Sequence, residues 1–113
     1  MKIADREIGG GQPVFVIAEA GINHNGNIKR AHALIRAAAD AQADAVKFQA
    51  FSADRLINRG RDNQLKMCEL PETALQELQT DAHERGLLFL VTAFDPDWLA
   101  RLVKMKVPAT WWT

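Results

Sequence analysis

Three polar residues interrupt otherwise apolar segments and set the first chemical question. Lys47 and Gln49 stand two residues apart in Ala45-Val46-Lys47-Phe48-Gln49-Ala50-Phe51, and Glu19 follows the run Val14-Phe15-Val16-Ile17-Ala18. An ammonium is costly to bury in a greasy segment unless an anion faces it. Side chains alternate along an extended strand, so Lys47 and Gln49 share a face. Thr92, at the end of Leu87-Leu88-Phe89-Leu90-Val91-Thr92, adds a hydroxyl at a third strand end. Three chemistries are open to Lys47. It can bind a phosphate or carboxylate, with Gln49 and Thr92 adding hydrogen bonds; it can pair with Glu19 and bind nothing; or it can form a Schiff base if its pKa is depressed. Anion binding is the preferred reading. Glu19 could orient sugar hydroxyls, move a proton, or serve as a counter-ion.

The remaining candidates are weaker. His24 lies in the polar turn Asn23-His24-Asn25-Gly26-Asn27, where a lone histidine reads as a solvated turn residue; neither His32 nor His83 stands at metal-site spacing from it. No metal site follows from these residues. Asp95 before Pro96 is a helix cap, Cys68 lacks a nucleophile's local signature, and Trp98 is a packing residue.

The elements that must position these groups alternate. Val14 to Ala18 reads as a strand covered on both faces, entered through Gly9-Gly10-Gly11-Gln12-Pro13. Ile28, Ala31, Leu34, Ile35 and Ala38 then repeat at helical spacing, with Asn27 as cap. The Lys47 segment is the second strand. A polar stretch from Ser52 to Glu69, longer than most βα connections, reads as either a functional loop or a partly disordered segment. Pro71 starts a second helix with Leu75, Leu78 and Ala82 on one face, and Gly86 closes it. After the third strand, Asp95-Pro96 opens a third helix with a buried stripe of Leu99, Leu102 and Val103. Strand and helix alternate three times, so the fold class is α/β, with a parallel sheet and helices outside. Gly21 and Gly26 do not fit the spacing of a dinucleotide-binding turn. Polar chemistry at strand ends suits the first three βα units of a TIM-type (β/α)8 barrel, which needs about 250 residues. Three units leave sheet edges open, so a larger barrel or a partner is expected.

At 113 residues the chain is of single-domain size, and 48% hydrophobic with 25% charged residues is an ordinary globular composition. Fourteen Lys plus Arg balance fourteen Asp plus Glu. That balance argues against nucleic acid or a membrane surface as partner. The longest uncharged apolar stretch, Leu87 to Phe94, is far below the roughly 20 residues of a spanning helix. One cysteine and no leader-like amino terminus make the cytoplasm the expected location.

Four segments together resemble the N-acetylneuraminate (sialic acid) synthase family, with its legionaminate and pseudaminate relatives. They are Ile17-Ala18-Glu19-Ala20-Gly21-Ile22-Asn23-His24-Asn25-Gly26, Ala43-Asp44-Ala45-Val46-Lys47-Phe48-Gln49, Ala53-Asp54-Arg55-Leu56 and Val91-Thr92-Ala93-Phe94-Asp95. The resemblance implies that residues 1–113 form the amino-terminal portion of a barrel domain, lacking the rest of the barrel and the antifreeze-like domain. It implies condensation of phosphoenolpyruvate with an N-acetylated amino sugar such as N-acetylmannosamine, release of phosphate, and a divalent cation, manganese or magnesium, whose ligands lie outside this chain. By the same resemblance Lys47, Gln49 and Thr92 look like phosphoenolpyruvate contacts and Glu19 like a catalytic sugar-side contact, while Asn23 and His24 are candidate loop contacts, His24 a motif member without an assigned role. Anion binding by Lys47 is thereby favoured over the Schiff base. Ala50 and Ala93 depart from the family motif, and the match ends at Pro108, before Thr110-Trp111-Trp112-Thr113. The expectation is an inactive fragment from a truncated or frame-shifted gene. The alternative is a non-enzymatic ligand-binding or self-associating module, a homo-oligomer or one half of a complementary barrel.

Overall fold

A computed structural model describes residues 1–56, 63–108 and 110–112. The chain opens with a short antiparallel hairpin, β1 (Lys2–Ile3) and β2 (Arg6–Glu7). The main sheet holds four strands in the order β3 (Ile17–Gly21), β4 (Ala45–Ala50), β5 (Leu88–Ala93) and β6 (Thr110–Trp112), every neighbouring pair parallel. Between them run α1 (Ile28–Asp40), the short α2 (Ala53–Leu56) and α3 (Asn63–Met67), then α4 (Glu72–Glu84) and α5 (Pro96–Lys104).

The helix signals act as their chemistry requires. Asn27 accepts from the Arg30 amide at 3.1 Å, and Asp95 accepts from the Trp98 amide at 2.8 Å. Ala31, Ile35 and Ala38 of α1 and Leu75, Leu78 and Ala82 of α4 are buried. They pack on Val46, Phe48 and Ala50 of β4 and Phe89, Val91 and Ala93 of β5, forming one core on one face of the sheet. The rings of Phe48 and Phe89 lie 5.7 Å apart across the two strands. On the opposite face Ile3, Ala45 and Leu90, with Ile8, Phe15 and Leu88 beside them, plug the amino end.

Four expectations from the sequence are corrected. The first strand begins at Ile17, and Val14 is 82% exposed. Its β-branched residues satisfy strand propensity, but the segment gains burial only where it meets β4. Glu19 therefore lies inside the strand. The main sheet holds four strands where three were expected, because β6 adds to the edge of β5. The polar stretch from Ser52 to Glu69 contains two short helices, with residues 57–62 outside the described part. Phe51, Ala53 and Cys68 anchor it as a small separate core. In α5 the buried stripe is Trp98 and Leu102, one turn apart, with Leu99 partly buried; Val103 is 64% exposed on the other side.

Candidate functional site

The register of the sheet brings the polar strand residues together. Glu19 on β3 pairs with Lys47 on β4, and Gln49 on β4 pairs with Thr92 on β5. Paired residues of parallel neighbours point to the same side, so all four occupy the face opposite the helix-packed core, toward the carboxyl ends of the strands. The Lys47 ammonium lies 2.8 Å from Glu19 Oε1. Of the three chemistries open to Lys47, the ion pair is thus formed. Both partners remain reachable: the Lys47 side chain is 23% exposed and that of Glu19 49%. Thr92 is buried and Gln49 is half-buried.

A local irregularity shapes this end of β3. Pairing passes from Glu19–Lys47 to Gly21–Phe48, leaving Ala20 as an extra residue. Such a bulge bends the strand and re-aims its side chains. Gly21 takes φ +57°, and a Cβ there would lie 3.5 Å from Glu19 Oε2 and 3.6 Å from Gln49 Nε2. The carboxylate and the amide therefore converge over the bare backbone of Gly21.

The turn after β3 follows directly on this bulge. Backbone bonds from Asn23 to Ala20, Asn25 to Ile22 and Asn27 to His24 wind it tightly. The solvated turn histidine expected from the sequence is overturned, because His24 is completely buried. Its ring sits 6.1 Å from that of Phe48, and Nδ1 accepts the Gly26 N–H at 2.9 Å. Burial lowers its pKa, which keeps the ring neutral with its proton on Nε2. Among the described residues Nε2 has no hydrogen-bond partner. Asn23, by contrast, is exposed. Polar surroundings in the sequence concealed the burial of His24; the only hint was Gly26, which lets the turn close. Gly26 has φ +76°, and a Cβ there would fall 1.9 Å from the Met67 carbonyl oxygen at the end of α3. The Ala53 amide donates to the Glu69 carboxylate, tying the start of α2 to the segment after α3.

Among the described residues no group of three or more His, Cys, Asp or Glu could hold a metal ion. The described residues by themselves do not make the ligand shell of a divalent cation. No helix of the described residues is long and apolar enough to cross a membrane.

Comparison with known proteins finds relatives of this fold. The crystal structure of an N-acetylneuraminic acid (sialic acid) synthetase from Leptospira borgpetersenii, in complex with citrate, matches at a TM-score of 0.88 and 34% identity, covering 95% of this chain and 38% of that one. The spore coat polysaccharide biosynthesis protein SpsE of Bacillus subtilis is 41% identical over 83% of this chain and 29% of its own length. The N,N'-diacetyllegionaminic acid synthase of Legionella pneumophila is 35% identical over 92% of this chain and 35% of its own length. The chain thus spans about a third of the length of these relatives. The model of the NeuB family matches residues 34–110, more than half of the chain, and with these sialic and legionaminic acid synthases as homologues the chain belongs to the NeuB family.

Proposed function

We propose that this chain supplies the phosphoenolpyruvate side of a site that condenses phosphoenolpyruvate with an N-acetylated amino sugar to give a nonulosonic acid. The observation that carries the reading is the single polar face formed by Glu19, Lys47, Gln49 and Thr92 at the carboxyl ends of three adjacent parallel strands, the place where barrel enzymes build their sites. In the reaction the methylene carbon of phosphoenolpyruvate bonds to the sugar aldehyde carbon, water adds at the enol carbon, and the bond to phosphate breaks. The work of these residues is neutralisation and positioning. Lys47 offers a positive charge to the phosphate or carboxylate, Gln49 and Thr92 add hydrogen bonds, and Glu19 turns toward the sugar. The existing pair with Glu19 keeps the ammonium in place until an anion competes for it.

The remaining strands of a (β/α)8 barrel would join the edges that β3 and β6 present, and manganese or magnesium would be held by residues of that remainder. The setting is cytoplasmic. The same two edges favour a second reading, a self-associating or ligand-binding module without catalysis. Titrating the 113-residue chain into phosphoenolpyruvate while following the ligand's phosphorus NMR signal tests the first reading. The expected result is a saturable shift that Lys47→Met weakens at least tenfold, with no phosphate released on adding N-acetylmannosamine. An unchanged signal at millimolar protein overturns it. Sedimentation of the same samples as a defined oligomer, with no shift, would establish the second reading.

A further inference from the structure

Away from the strand ends, one histidine is held from both sides. His32 on α1 places Nδ1 2.6 Å from Asp81 Oδ2 and Nε2 2.5 Å from Glu77 Oε2, both acceptors belonging to α4. A neutral imidazole carries one N–H, so it can donate to only one of two flanking carboxylates; the other nitrogen would then turn a lone pair toward an anion. Both contacts are favourable only for the imidazolium. Arg85 holds the second oxygen of Asp81 at 2.8 Å, fixing that carboxylate in position. The group is partly shielded, with His32 27% and Asp81 16% exposed, while Glu77 at 60% stands toward solvent.

We propose that His32 is a proton-operated latch joining α1 to α4, closed while both ring nitrogens carry protons and released when one is lost. The charges facing it are Glu77, Asp81 and Glu84 of α4 and Arg85 just after it, which line one surface groove with it, and the exposed Lys29 and Arg36 one turn away on α1. The two carboxylates raise the His32 pKa above the ordinary 6.5, and hydrogen bonds from His32 and Arg85 hold that of Asp81 below its ordinary value. A raised histidine pKa stabilises the fold fully below the unfolded value and loses that contribution as pH rises through the folded value. The depressed Asp81 contributes above its unfolded value and loses that contribution as pH falls through the folded one. The latch therefore holds best in mildly acidic solution and opens as the pH rises through the raised value of His32. Because α1 begins at the turn bearing His24 and Asn23, release loosens the support of that turn.

Nitrogen-15 NMR titration of the histidine rings in the 113-residue chain tests the latch. His32 should show two protonated ring nitrogens at pH 6.5 and a titration midpoint above that pH. Glu77→Gln with Asp81→Asn should lower the midpoint by about one unit, a tenfold loss of proton affinity. The urea midpoint of the unaltered chain should fall between pH 6.5 and 9, and that of His32→Phe should not. A His32 midpoint at or below 6.5, or an unchanged midpoint in the carboxylate variant, overturns the proposal. Should His32→Phe not fold, Glu77→Gln alone, altering an exposed carboxylate, must still lower the midpoint.

Discussion

The two faces of β4 carry opposite chemistry in a strand of six residues. Val46, Phe48 and Ala50 are fully or almost fully buried beneath α1 and α4. Lys47 and Gln49, alternating with them, face the other way and remain partly exposed. One face ends in close packing, the other in a charge pair between neighbouring strands. A strand that only built a core would have no use for an ammonium there. The contrast is repeated within the open face itself. At the amino end Asp44 accepts the Val16 amide at 2.8 Å and the Arg6 guanidinium at 2.8 Å, while Arg6 also lies over the Phe15 ring. That pair is bound into the hairpin and apolar plug and serves structure. Glu19, in the pair with Lys47, keeps half its side chain in solvent.

Substitutions on the two faces should separate these roles. Phe48→Ala should cost about 3–5 kcal/mol, read from urea unfolding, because it empties the center of the helix-packed core. A loss below about 1 kcal/mol would mean that this face is loosely packed. Gly26→Ala should cost about 1–3 kcal/mol, since the new methyl meets the backbone carbonyl of Met67 and the left-handed φ penalises a side chain. It tests whether the turn after β3 is as tightly seated as the core.

Asp44→Ala should cost about 1–2 kcal/mol by leaving the Val16 amide and Arg6 without their acceptor. The Val16 amide, foremost, and Arg6 hold the Asp44 carboxyl below its ordinary value. Its contribution is therefore present above the unfolded pKa and lost as pH falls through the folded one. The stability difference between this variant and the parent should shrink in acid; a difference independent of pH would contradict the role given to that carboxylate. Lys47→Met should change stability least, by about 1 kcal/mol or less in either direction, as expected for a partly exposed ion pair. A loss as large as that of Phe48→Ala would make Lys47 a structural residue and remove the contrast between the faces.

Much of this arrangement was legible in the sequence, where local chemistry decides the outcome. The caps at Asn27 and Asp95 depend on side chains within three residues of the amides they bind, and the shared face of Lys47 and Gln49 follows from alternation alone. What escaped depended on distant partners. The start of β3 is set by the position of β4, so a β-branched run beginning at Val14 overstates its length. The two-residue strands of the hairpin are shorter than any periodicity can reveal. Trp98, read simply as packing, is the buried center of the α5 stripe, while Val103 faces away; the rotation of that helix is fixed by where it meets the sheet. His24 looked solvated among asparagines because the turn that buries it closes against α3, more than forty residues later. The strand-end candidates stood out because a charge in an apolar run is itself a signal, whereas the neutral, inward-turned histidine left only the hint of Gly26.

Lys47 is proposed to be held at the strand ends for an anion. Crystals of the chain soaked in phosphoenolpyruvate provide the most direct test. The expected map shows the Lys47 ammonium within hydrogen-bond distance of a phosphate or carboxylate oxygen, with Gln49 and Thr92 beside it and Glu19 displaced or reoriented. A well-ordered chain in which Lys47 stays 2.8 Å from Glu19 and no anion binds at the strand ends would contradict it.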